Sequence, residues 1–181
     1  MLIDYIIARA RRTPYFHLEG YMERYWLVPY RSVIERVLTY RPVGSNEDER
    51  LVMTDGTGPV SPFSQPFAWL LQKFDIAVRV HHILRSDHGR DPHDHPWPYL
   101  TIVLRGGYLE HQYDEAGFWK SANWRGAGSV LWRPAKSLHR LEVPEGQTAW
   151  TLFFTGRKQQ TWGFKPVVGP KIPYYEYKDE Q

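Results

Sequence analysis

The sequence contains no cysteine. That removes disulfides, thiolate metal ligands and thiol nucleophiles at once, and it fits a reducing compartment. No apolar run approaches the ~20 residues that cross a bilayer. There is no glycine-rich phosphate loop and no Gly-x-Ser-x-Gly elbow. No basic run is longer than Arg9-Ala10-Arg11-Arg12, and a net charge of +3 over 181 residues is too small to argue for a nucleic-acid partner. The apolar start, Met1-Leu2-Ile3, precedes the first arginines instead of following them, which is not the order of a secretory leader. We therefore expect a cytoplasmic protein with no nucleic-acid and no membrane partner, acting on a small molecule.

Turn-forming and aromatic residues are plentiful. The 14 Gly and 14 Pro are spread along the chain, and the 8 Trp, 12 Tyr and 8 Phe suit strands and pocket walls. Residues 2–12 carry Leu2, Ile3, Ile6, Ile7 and Ala10 at helical spacing, with arginines near the end where cations suit the helix dipole. Residues 16–29 read as an extended, aromatic strand. Residues 32–40 read as a short helix, 43–62 as a loop, and 67–74 as a helical turn or two. From Ala77 the pattern changes to short strands separated by turns: 77–85, 98–105, 108–113, 118–124, 129–133, 139–143 and 148–155. Gly106-Gly107 should bend or end one of them. The tail, 166–181, reads as extended. This succession predicts a mainly all-β sandwich or barrel with short N-terminal helices. The expected organisation is 1–69 packed on a barrel, 70–156 forming the barrel, and 157–181 as an extension.

Three histidines stand out. Successive side chains on a strand point to opposite faces, so His93 and His95, two apart, can share one cavity. A third imidazole from another strand would complete a three-nitrogen face for a metal ion, and His139 is the natural candidate. Asp94, between the pair, should point away.

These stretches resemble the two motifs of the cupin superfamily, across roughly residues 76–156. The first family pattern is G-x5-H-x-H-x3,4-E-x6-G. Here it keeps His93, His95 and a closing glycine at Gly106 or Gly107. Asp87 stands at its opening glycine, and Tyr99 or Leu100 at its glutamate. The second pattern, G-x5-P-x-G-x2-H-x3-N, keeps Gly128, Pro134 and His139, with Lys136 and Val143 at the other two positions. The resemblance implies a cupin-type double-stranded β-helix, or jelly-roll barrel, with His93, His95 and His139 as metal ligands. Three-histidine cupins include ferrous thiol dioxygenases, and metal-free cupins include sugar-nucleotide epimerases. The expected cofactor is one divalent transition metal, Fe(II) by preference, with Zn, Ni or Mn as alternatives. The expected activity is that of a dioxygenase on a small organic substrate. The alternatives are a metal-dependent isomerase or hydrolase, and a non-enzymatic small-molecule-binding module. Cupins often pair through sheet edges, so a homodimer is the expected assembly, with 16–29 able to supply an added strand.

Other residues have two readings each. Tyr99 either donates a hydrogen bond to a bound substrate or is a core aromatic. His82 shares a face with Val78, Val80 and Leu84, which predicts an inward position, either lining the pocket or in the core. His81 shares a face with Arg79 and Arg85 and reads as more solvent-accessible. Arg85 and Arg105 either bind an anionic substrate through a charge-assisted fork or decorate strand edges. Trp97 and Trp132 either wall the cavity or belong to the core. His17, His88 and His111 have no partner pattern and read as surface or structural.

Overall fold

The computed structural model describes residues 1–18, 20–28, 65–87, 89 and 91–177. The helix expected over 32–40, the loop over 43–62 and His88 lie outside them. The described elements are α1 (Leu2–Ala10), β1 (Pro14–Leu18), β2 (Met22–Val28), α2 (Gln65–Lys73), β3 (Ala77–Ile83), β4 (Tyr99–Tyr113), β5 (Trp119–Gly126), β6 (Val130–Arg133), β7 (Leu138–Glu142), β8 (Ala149–Thr155), β9 (Gly163–Phe164) and β10 (Ile172–Pro173). Asp4 sits in the first turn of α1 and Arg9 in its last, each matched to the dipole there.

Strands β1 to β8 form one curled antiparallel sheet in the order β1-β2-β3-β8-β4-β5, with β6 and β7 also paired to β4, and β9 and β10 form a separate two-stranded sheet. The first half of β4 pairs with β8 and β6. Its second half pairs with β5 and β7. One long strand therefore joins two walls, which is how a jelly roll closes. The bend falls at Gly106-Gly107. Gly106 has φ +70°, and a Cβ there would stand 2.0 Å from the Thr148 carbonyl oxygen. Only glycine fits that turn. The pair bends the strand without ending it, so the two strands expected over 98–105 and 108–113 are one.

Burial on both sheet faces explains the alternation. Val78, Val80, Leu27, Leu104, Leu152 and Trp150 pack with Ile7 and Ala10 of α1 and Ala68 of α2 in one core. Ile83, Val103, Tyr108, Leu141, Val143 and Ala149 form a second core on the concave face. The N-terminal hairpin is part of the sheet: β2 pairs with both β1 and β3 and gives Met22 and Arg24 to the cavity wall. The boundary drawn at residue 69 thus cuts through one continuous sheet.

Several side chains lie elsewhere than at the cavity positions weighed for them. On β3 the more apolar face lies under the helices, because a dry core needs apolar cover more than a cavity wall does. His82 goes with it: its ring stacks on Trp150 at 4.0 Å and its Nδ1 pairs with Glu23 at 2.8 Å. Arg79, His81 and Ile83 face the cavity instead, and His81 is buried. On β4 the register slips between Val103 and Arg105. This β-bulge exchanges the faces. Tyr99, Thr101 and Val103 point inward before it, and Tyr108 and Glu110 after it. Arg105 is turned out to pair with Asp4 of α1. Arg85 lies beyond the end of β3, where its Nε donates to the Gly20 carbonyl at 3.0 Å and its guanidinium covers the Tyr21 ring. Trp132 is 62% exposed on the outer side of β6 and walls nothing.

Candidate metal centre

The segment leading into β4 carries Pro92, Pro96 and Pro98, which cannot donate to a ladder. It is therefore not a regular strand. It is held at a few points. His93 and His139 exchange both backbone hydrogen bonds, each at 3.0 Å. The His95 N–H donates to the Ala135 carbonyl at 3.0 Å. The Asp94 N–H donates to the Gly163 carbonyl at 3.1 Å, and the Gly163 N–H returns a bond to Asp94 Oδ1 at 2.9 Å. So His93 is pinned to β7, which carries the third histidine, His95 to the turn just before β7, and Asp94 between them to the C-terminal segment. Asp94 points away from the cavity as expected, and it also accepts from Gln160 and Lys171.

The three rings converge. His95 Nε2 and His139 Nε2 stand 2.9 Å apart, close to the separation of two cis nitrogens at about 2.1 Å from a shared ion. One ring nitrogen of each of His93, His95 and His139 lies within 4.8 Å of the other two. Burial pushes His93 down to about 4, against the pull of Asp87. Burial, then the neighbouring His139 and His93, hold His95 well below the usual imidazole range. Both are neutral near pH 7, the form that ligates.

Two carboxylates stand behind this face. Asp87 Oδ2 is 3.6 Å from His93 Nδ1 and accepts from the Leu141 N–H at 2.7 Å. The Tyr21 hydroxyl donates to its other oxygen. Glu110 Oε1 is 3.4 Å from His139 Nδ1. Its Oε2 takes Arg133 at 2.7 Å and Arg125 at 2.9 Å. Burial pushes the Glu110 carboxyl up, but hydrogen bonds from His139 and Arg133 outweigh it and hold it at about 2. A carboxylate facing Nδ1 favours the tautomer that leaves Nε2 free to bind a metal. Sequence reading missed both residues. Asp87 stood where the family motif has glycine. Glu110 follows the bulge, so its face could not be counted from Tyr99.

The imidazoles open into a cavity of about 360 Å³ that Trp97 and Tyr99 help to line. The Tyr99 hydroxyl is 3.4 Å from His139 Nδ1 and Nε2. Burial, then the charge of Glu110, raises its pKa well above 10, so it stays a phenol and a donor. Of the five other candidates, Trp97 lies at this cavity. His82, Arg85, Arg105 and Trp132 do not line it.

No family model matches the chain, and no curated protein matches it. Among solved structures, vicilin from hazelnut (Corylus avellana) superposes with a TM-score of 0.51 at 12% identity, over 93% of this chain and 38% of that one. The chain has the cupin fold. A cupin-like protein from Thermotoga maritima overlaps 57% of this chain and 71% of its own, at 18% identity and TM-score 0.39. Oxalate oxidase bound to glycolate overlaps 51% and 47%, at 14% identity and TM-score 0.39. This chain thus spans less than half of the vicilin and oxalate oxidase chains. In this cupin barrel the residues present fit a divalent metal: three neutral nitrogen donors converge, and carboxylates stand behind two of them.

Proposed function

We propose that the protein is a metal-dependent cupin enzyme, an Fe(II) oxygenase acting on a small organic substrate. The observation that carries this reading is the convergence of His93, His95 and His139 on one point at the cavity wall. Imidazole donors suit Fe, Zn, Ni and Cu and disfavour Mg and Ca. Among the described residues, the gathered group contains no carboxylate, so a six-coordinate ion would keep open positions toward the cavity. When bound there, the ion supplies Lewis-acid and redox chemistry. The chain does the rest. Asp87 and Glu110 orient His93 and His139. Tyr99 offers a protonated hydroxyl beside the imidazoles, placed to donate to a substrate oxygen. Trp97 and Phe153 supply apolar wall to the cavity.

The test is metal content after purification without a polyhistidine tag, compared with that of His139→Ala, followed by oxygen uptake of the Fe(II)-loaded protein. The expected result is about one equivalent in the native chain and a sharp fall in the variant, with chelator abolishing oxygen consumption. Equal metal in both would overturn the ligand set. A fully loaded protein that consumes no oxygen with any small organic substrate offered would replace the oxygenase with a non-redox cupin.

A further inference from the structure

The cavity has a second polar end. Arg24 and His81 are direct partners across the β2–β3 ladder, and Arg79 lies two residues from His81 on the same face. All three side chains line the cavity. The Arg79 guanidinium is buried between the Trp26 ring at 4.5 Å and the Trp97 ring at 4.7 Å, which fixes the direction of its fork. His81 is 9% exposed, and its Nε2 is a buried polar atom without a hydrogen-bond partner. Such an atom is costly to leave unmet away from water. A buried, unpartnered imidazole nitrogen beside a fixed cation is a place for an anion's oxygen.

The two ends are joined by one aromatic floor. The Phe153 ring is 4.7 Å from His81, 4.8 Å from Tyr99 and 6.1 Å from His95. Among the described residues, the carboxylates that line the cavity are Asp87, bonded to Tyr21 and Leu141, and Glu110, bonded to Arg125 and Arg133.

We propose that this cavity takes a small organic carboxylate, held at its carboxyl end by Arg79 and His81. Its flat apolar body lies on Phe153, and its far end faces the three imidazoles. Placing the far end at a metal rests on the functional reading above; the carboxylate subsite does not. The two oxygens of a carboxylate match one guanidinium N–H and one imidazole N–H. Arg24 adds positive charge at the same end.

The test uses metal-free protein, so the failure of metal binding and the failure of this subsite give different results. Calorimetry compares benzoate with benzamide, its neutral counterpart of the same shape, and repeats benzoate with His81→Leu. We expect benzoate to bind at least about tenfold more tightly than benzamide. We also expect benzoate affinity to fall about tenfold in His81→Leu, as for loss of a hydrogen bond to a charged group. The variant's circular dichroism and metal uptake should stay native. Equal affinity for the two probes, no binding of benzoate, or unchanged benzoate affinity in a folded His81→Leu would each overturn the proposal. If His81→Leu does not fold, the comparison of benzoate with benzamide in the native chain decides.

Discussion

At Glu110 one buried carboxylate faces two guanidinium groups and the back of His139. Removing its charge leaves both arginines beside a neutral amide and removes the acceptor that sets the His139 tautomer. Glu110→Gln should therefore lower metal affinity about 10–100-fold and destabilise the fold by about 3 kcal/mol. Metal titration and urea unfolding read the two effects separately. His81 gives a second outcome at this scale. Burial, then Arg79 and Arg24, hold its folded pKa well below 6.5. The unfolded chain therefore takes up a proton near pH 6.5 that the folded chain refuses. Stability is fully present above that value and is lost as pH falls below it. In metal-free protein, His81→Leu should shrink the drop in melting temperature between pH 7.5 and 5.5, read by thermal scans. The convergence of His93, His95 and His139 was legible because residue type and the spacing of the two cupin-like motifs mark them. Glu110 and Asp87 were not, because a carboxylate on a strand or loop is ordinary until the fold shows what stands behind it.

At the scale of elements, most strands were legible to within a residue or two, since alternation and turn residues mark them directly. Faces were harder. Counting by twos from Tyr99 puts Arg105 inside, and the bulge before it reverses that count. Nothing in Ile102-Val103-Leu104-Arg105 announces an extra residue, because the outer face is as apolar as the inner. The same two-sided burial misled the reading of β3, where Val78 and Val80 face the helices and His81 faces the cavity. The bend of β4 depends on one backbone conformation. Gly106→Ala must adopt φ +70° and displace the Thr148 carbonyl. A loss of about 2–3 kcal/mol in urea unfolding is expected, along with a weaker metal site, since the halves of β4 carry Tyr99 and Glu110 on either side of the bend.

For the whole molecule, the barrel class was legible from the succession of short strands and the two spaced motifs. The place of the N-terminal hairpin was not, because pairing between β2 and β3 spans a long stretch of sequence that leaves no local signal. The C-terminal segment, read from sequence as a plain extension, packs back: Trp162 stacks on Tyr174 at 4.8 Å, Phe164 on Tyr177 at 3.9 Å, and Lys165 N–H donates to the Pro92 carbonyl at 2.8 Å. Asp94 is the junction, a carboxylate that holds Gln160, Gly163 and Lys171 while its two neighbours, His93 and His95, turn their imidazoles to the proposed metal centre. Asp94→Asn, which leaves all three imidazoles in place, should weaken metal binding several-fold and quicken proteolysis of the tail, followed by mass spectrometry. Thermodynamic reciprocity then fixes the converse. Whatever factor the docked tail adds to metal affinity, the metal must add to docking of the tail. Loading the site should therefore slow amide hydrogen exchange at Gly163 and Lys165, making the C-terminal segment a gauge of occupancy that can be read without any substrate.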